Sequence, residues 1–163
     1  MKIYTSKDYK RGGVTWNYIN FPSENDHTLT LTHVETLYRA SSFKDGQRLT
    51  INLVLNNEQR QLIEDVQAIV LTHFDKKSSE CYDLFKTRDR NTFLPVQVAD
   101  DVQLSNFNGE IEDIYSGSDV SVKLRAKFNR MGSKNSLRFI LNAVKIHSQK
   151  RTNNNYLFTD NED

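Results

Sequence analysis

Apolar and polar residues alternate through most of the chain in short stretches, which is typical of β-strands with one buried face. In the clearest stretch Leu49, Ile51, Leu53 and Leu55 share one side. Turn-forming residues separate the stretches at short intervals, as in sandwiches and small barrels. Strands are predicted at 3–5, 14–21, 28–40, 49–55, 96–104, 111–115, 120–128 and 137–147, with a bend or bulge near 33–35.

One stretch has helical periodicity instead. Asn56 can serve as its N-cap, with Gln59 three residues on in the capping-box position, and 75–79 ends it. The apolar stripe between them consists of Leu62, Ile63, Val66, Ile69, Val70, His73 and Phe74. A single helix among strands predicts an all-β fold with one helix, an OB-like five-stranded Greek-key barrel with additional strands. Other small barrels also accommodate one helix.

The length of 163 residues predicts one domain, 1–148, followed by a flexible acidic tail, 149–163. Cys81 is the only cysteine, so an intrachain disulfide is excluded, and the polar N-terminus does not resemble a signal peptide. These features fit a cytoplasmic protein. The apolar runs are only a few residues long, so no membrane-spanning segment is expected.

The small net charge of +1 conceals an asymmetry along the chain. Three of the 21 acidic residues lie among the last four positions, so the rest carries 22 basic residues against 18 acidic ones. A mildly basic body with an acidic end is one pattern typical of proteins that bind nucleic acid.

A basic face is predicted on the strand 120–128. Lys123, Arg125 and Lys127 occupy alternate positions, so their side chains share one side with Cα atoms about 6 to 7 Å apart, close to the phosphate spacing of a single strand. The same charge continues around the following hairpin through Arg130, Lys134 and Arg138. Such a face is also typical of ordinary solvated surface, or of charged residues that keep an exposed edge strand from aggregating, and these interpretations stay open here.

Sequence-tolerant binding of single strands also requires aromatic rings on which bases stack. Candidates are Trp16, Tyr18, Tyr38, Phe43, Phe85 and Phe93. Taken singly, each could instead pack in the core, and Trp16 and Tyr18 share a face with Val14, which favours the core. The predicted nucleic-acid-binding set comprises Trp16, Tyr38, Phe43, Arg48, Lys123, Arg125, Lys127, Arg130, Lys134 and Arg138.

Four segments of the C-terminal half resemble phage-type single-stranded DNA-binding proteins with an OB fold. They are DIYSGSDV at 113–120, Phe128-Asn129, GSKNS at 132–136 and LNAVKI at 141–146. In that family a Tyr-x-Gly-x-x-Val turn leads into a strand, a Gly/Asn/Lys-rich hairpin follows, and a last strand carries a similar apolar core. The chain departs from the pattern at Asn135-Ser136, where a second glycine is expected.

The resemblance implies a non-catalytic, sequence-tolerant protein that binds single-stranded DNA in phage-like replication or recombination, in the host cytoplasm if phage-encoded. It also implies that the acidic tail docks replication or recombination proteins. The tail residues concerned are Tyr156, Phe158, Asp160, Glu162 and Asp163.

Enzymatic functions find little support in the motifs. The histidines show no metal-ligand spacing, and neither a nucleophile elbow nor a phosphate-binding glycine loop occurs. We therefore predict no catalytic residue, metal or cofactor. The alternative function is a β-rich structural or assembly protein that binds another protein through the basic face. A metal-dependent nuclease using the carboxylates near 100–101 and 110–113 is a more distant alternative.

Overall fold

The computed structural model describes residues 3–22, 27–39, 49–109, 111, 114–131 and 134–149. Strands and one α-helix make up most of this part of the chain. They are β1 (Tyr4–Thr5), β2 (Tyr9–Arg11), β3 (Val14–Asn20), β4 (Leu29–Arg39), β5 (Thr50–Val54), α1 (Asn57–His73), β6 (Lys86–Arg88), β7 (Asn91–Ser105), β8 (Asp119–Met131) and β9 (Lys134–Ser148).

Five of these strands close into a ring. β4 pairs with β5, β5 with β7, β7 with β9, β9 with β8, and β8 again with β4. Every pair is antiparallel except β7 and β9, which run parallel. The predicted OB-like five-stranded barrel is therefore confirmed. β3 extends the sheet from β8 and carries β1 and β2 on its other side, while β6 pairs with β7.

The core fills the interior of the barrel and the space beneath the helix. On β8 the inward positions are Val120, Val122, Leu124, Ala126 and Phe128, all at most 2 % exposed. From α1, buried apolar side chains enter the same core. Phe74, the C-cap residue, stacks on Phe128 with ring centroids 4.9 Å apart, which fixes the end of the helix against the barrel.

The predicted helix start is confirmed in detail. The Asn56 side chain accepts a hydrogen bond from the Gln59 backbone N–H at 2.8 Å, and the Gln59 side chain accepts one from the Asn56 N–H at 3.0 Å. The Gln59 amide also donates to the carbonyl of Thr32 at 2.7 Å. The capping box thus satisfies two helix-end groups and ties the helix to β4.

The predicted irregularity in the long strand β4 is also present. Its register with β8 shifts between Leu31 and Val34, and His33 has a positive φ of 55°. The His33 backbone N–H donates to the Ser121 hydroxyl at 3.2 Å instead of to the strand ladder. A bulge of this kind bends the strand, as a small closed barrel requires.

Three local predictions were wrong. Residues 9–11 were not among the predicted strands but form β2, which turns into β3 at Gly12 and Gly13. Both glycines have positive φ, as in a two-residue type I′ hairpin. In the predicted strand 111–115, the described residues Ile111 and Ile114 are buried but lie outside any strand, and the Ile114 N–H donates to the Ile111 carbonyl at 3.2 Å. β7 begins five residues before the predicted start at Val96.

Several predicted residues lie outside the described part of the chain. They are Phe43, Arg48 and the tail residues Tyr156, Phe158, Asp160, Glu162 and Asp163. Among the described residues, α1 is too short and too polar to cross a membrane.

Candidate nucleic-acid interface

The basic face lies on the outside of the barrel wall. Lys123, Arg125 and Lys127 point away from the core residues of β8 with which they alternate. β3 flanks this row on one side and β9 on the other, so Lys127 lies opposite both Tyr18 and Arg138. Asn129, the next outward residue, lies opposite Trp16 and Ser136.

Aromatic rings and cations interleave on this surface. The Arg125 Cζ is 4.2 Å from the centroid of the Tyr18 ring. The Lys127 Nζ lies 4.2 Å from the centroid of Trp16, and the Arg138 Cζ lies 5.2 Å from the same ring. Tyr9 stacks on Tyr18 with centroids 5.3 Å apart. We call this surface the cation–aromatic face: Tyr9, Trp16, Tyr18, Arg125, Lys127 and Arg138.

The burial of Trp16 beneath neighbouring side chains was not predicted from the sequence. Trp16 is only 7 % exposed, although it lies outside the apolar core, on the outward face of β3. Lys127 is only 9 % exposed, so this cation of the basic face is buried by its neighbours. Alternation determines which side chains share a face, but it does not show which neighbouring side chains cover them.

The contacts on Trp16 are comparable in strength to base stacking. A cation over an aromatic ring contributes from about 0.5–1 kcal/mol at exposed sites to about 2 kcal/mol when desolvated. A base stacked on a ring contributes about 1–3 kcal/mol. The two ranges overlap, so a cation over this ring and a base stacked on it are similar in strength.

A groove of about 900 Å³ opens on the other side of β9. Its walls come from β5, β6, β7, β9 and the segment before β6 and include Thr50, Tyr82, Lys86, Pro95, Gln97 and Arg138. The Tyr82 ring is 48 % exposed, and the Lys134 Nζ lies 5.4 Å from its centroid. Because Arg138 lines the groove and also lies over Trp16, the groove and the cation–aromatic face form one continuous surface.

The remaining predicted residues are distributed unevenly around this surface. Lys123 continues the outward row of β8, opposite Thr30 and Ala143. Arg130 pairs with Asn135 across the β8–β9 hairpin, and Tyr38 lies in β4. Sequence reasoning missed Tyr9, Tyr82 and Gln97 as interface residues. For Tyr82 the available signal was the mixture of aromatic and basic residues within 80–95, a stretch that lacks a clear period.

Two histidines that are far apart in the sequence meet at the other end of β8. The rings of His33 and His147 stack with centroids 4.1 Å apart. The His33 Nδ1 lies 3.0 Å from an Asp119 carboxylate oxygen, and the His147 Nε2 lies 2.6 Å from the Ser121 hydroxyl. No group of three or more His, Cys, Asp or Glu side chains is placed to hold a metal ion within the described residues.

Burial, together with the neighbouring Tyr18, raises the pKa of Tyr9 to about 12, against the opposing effect of Arg11 and Arg125. The folded protein therefore keeps a proton that the unfolded chain loses near pH 10. The stabilisation that comes from the protonated Tyr9 is complete below about pH 10 and falls as the pH rises towards 12.

In a spectrophotometric titration, Tyr9→Phe should remove one phenol ionising near pH 12. A titration curve unchanged above pH 11 in this variant would contradict the assignment.

Comparison with known proteins shows similarity at the level of structure. No protein-family model and no curated protein sequence matches the chain. Its fold matches that of the single-stranded DNA-binding protein from bacteriophage Enc34. The C-terminal truncation of that protein superposes with a TM-score of 0.58 at 13 % identity, covering 93 % of this chain and 97 % of the other. The structure in complex with ssDNA gives 0.56 at 11 % identity, covering 92 % and 97 %. A third structure of the phage protein gives 0.57 at 13 % identity, covering 98 % and 97 %. The chain thus has the fold of a phage-type single-stranded DNA-binding protein, as its C-terminal motifs implied.

Proposed function

We propose that this chain binds single-stranded DNA with little dependence on sequence, without catalytic activity, and acts in phage-like replication or recombination in the host cytoplasm. The observation that carries the proposal is the continuity of the groove with the cation–aromatic face through Arg138. A single strand crossing β9 there meets cations for its phosphates and rings for its bases.

The position of the surface on the barrel supports this function. OB folds bind oligonucleotides on the face of their second and third strands, next to the loops at that end of the barrel. Counted around the ring from β4, the second and third strands are β5 and β7, and both line the groove. The structurally similar phage protein is named for binding single-stranded DNA, and one of its structures contains ssDNA.

Fluorescence anisotropy with labelled oligo-dT, compared with a duplex of equal length, tests the proposal. The single strand should bind more tightly, and log K should fall linearly with log salt by about 0.7 for each phosphate neutralised. Binding of neither nucleic acid, or binding that does not depend on salt, would favour the alternative in which the basic face binds another protein.

The acidic end is proposed to compete with DNA for the same cations. Asp160, Glu162 and Asp163 follow Tyr156 and Phe158 in the sequence, and all lie outside the described residues. An anionic segment tethered to the domain acts at an effective concentration on the order of millimolar. DNA would release it for replication or recombination proteins.

Deleting 156–163 should therefore tighten binding to oligo-dT at low salt, and screening should abolish the gain at high salt. Anisotropy titrations of both forms across a salt series measure the difference. A tail in which the three acids are replaced by Asn and Gln separates charge from length. Unchanged or weaker low-salt affinity after deletion would show that the tail does not compete.

A further inference from the structure

Asn129 is a buried polar residue whose hydrogen bonds are not made. The residue is 1 % exposed, and neither polar atom of its side chain has a hydrogen-bond partner among the described residues. An amide side chain can donate two hydrogen bonds and accept two. Buried amides are nearly always paired because an unpaired one destabilises the fold, so an unpaired amide suggests a partner that arrives later.

The position of Asn129 indicates what that partner is. The residue points outward on β8, directly opposite Trp16 on β3 and Ser136 on β9. It therefore lies beside the Trp16 ring, over which the cations of Lys127 and Arg138 are placed. An amide beside a flat aromatic ring offers hydrogen bonds to the edge of a base and stacking to its face.

The two cations that lie over the Trp16 ring can give way to a base. The groups found on the Trp16 ring are the ends of the long side chains Lys127 and Arg138, and both carry charges that phosphates attract. The Arg138 Nε also donates to the Ser136 hydroxyl at 3.4 Å, a hydrogen bond that has to break when this side chain turns away. When a strand lies along the groove and the cation–aromatic face, the two cations can turn to its phosphates. Their movement would uncover the ring that lies opposite the Asn129 amide.

We propose that Trp16 and Asn129 form a base-reading pocket that is closed by Lys127 and Arg138 in the free protein and opens on the DNA strand. This inference rests on the proposed function and assigns a modest base preference to it. The preferred base is adenine, because Asn pairs with its amino group and a ring nitrogen through both amide atoms. A purine also covers more of the indole than a pyrimidine does.

Trp16 is the one tryptophan of the chain, so indole fluorescence reports on the pocket directly. Wild-type protein is titrated with labelled oligo-dT and with the same length of oligo-dT carrying adenine at every third position; anisotropy gives affinity while indole emission gives stacking. We expect indole quenching on binding and about tenfold tighter binding of the adenine-containing strand.

Asn129→Leu tests the reading role with a side chain of similar size. The adenine preference should fall to about one, and the urea midpoint should stay or rise because an unpaired polar group is removed. Asn129→Ser, which cannot overfill the site, should lose the preference in the same way. The control Asn142→Leu changes a half-buried asparagine of β9 at the level of Lys123 and Leu124, and should keep the preference.

Binding by anisotropy without a change in indole emission would show that the pocket stays closed and would overturn the inference while leaving the proposed function intact. An adenine preference that persists in both Asn129 variants would overturn the reading role. Absence of binding by anisotropy would instead contradict the proposed function, and with it the pocket.

Discussion

Replacing Arg125, Lys127 and Arg138 together by glutamine is expected to weaken oligo-dT binding on the order of 100-fold at about 50 mM salt. The three cations surround Tyr18 and Trp16 at the junction of the groove with the cation–aromatic face. Each neutralised phosphate contributes about 0.7 to the slope of log K against log salt, so the slope should decrease in magnitude by about 2. Anisotropy titrations between low and high salt measure both quantities.

Glutamine keeps the stem of each side chain as far as Cδ but removes the charged group that lies over the ring. The control variant replaces Lys76 and Lys77 after α1, which lie outside the groove and the cation–aromatic face. Its slope should change little, because these cations are not in the proposed path. An equal loss of slope per charge in both variants would show that binding depends only on net charge, and the proposed path would then be wrong.

Phe128→Ala is expected to lower the free energy of unfolding by about 3–5 kcal/mol. Phe128 is 1 % exposed, and its ring stacks on Phe74 at the end of the helix. The substitution leaves a cavity between the barrel and the helix. Since small domains are stable by only about 5–15 kcal/mol, a large share of the stability is lost. Urea denaturation followed by circular dichroism measures it.

Tyr82→Ala removes another large ring but should change the free energy of unfolding by no more than about 0.5 kcal/mol, because 48 % of Tyr82 is exposed. It should weaken oligo-dT binding instead, as a ring is lost from the groove. A loss of stability for Phe128→Ala as small as that expected for Tyr82→Ala would mean that Phe128 is not a core position.

The helix and the central strands could be predicted because their signals are local. Asn56 and Gln59 lie three residues apart and determine the helix start between themselves. In β8, alternation places Lys127 and Phe128 on opposite faces wherever the strand lies. Such features depend only on residues that are close in the sequence, so they can be recognised before the three-dimensional structure is known.

The interface could be predicted from the sequence much less well than the helix and the central strands. Alternation groups Trp16 and Tyr18 with Val14 but does not show whether this face points inward, and pairing of β3 with β8 turns it outward. Tyr82 reaches the groove from an irregular segment. Residues that meet only after the barrel closes leave no periodic signal.

The short hairpin at the N-terminal end was missed for a related reason. β2 has three residues, too few for a period, and its pairing depends on the left-handed conformation of Gly12 and Gly13. A Gly-Gly pair is a known hairpin signal, but only when strands can be recognised on both sides.

The parallel pairing of β7 with β9 determines when the barrel can form during synthesis. β8 and the hairpin to β9 separate the two paired strands in the sequence, so the ring stays open until β9 has left the ribosome. Until then the edge of β7 that β9 will cover is unpaired, and contacts between distant segments of this kind form slowly. A nascent chain that exposes this edge is prone to pair with other chains. A pause in translation before β9 should therefore increase aggregation more than a pause after it.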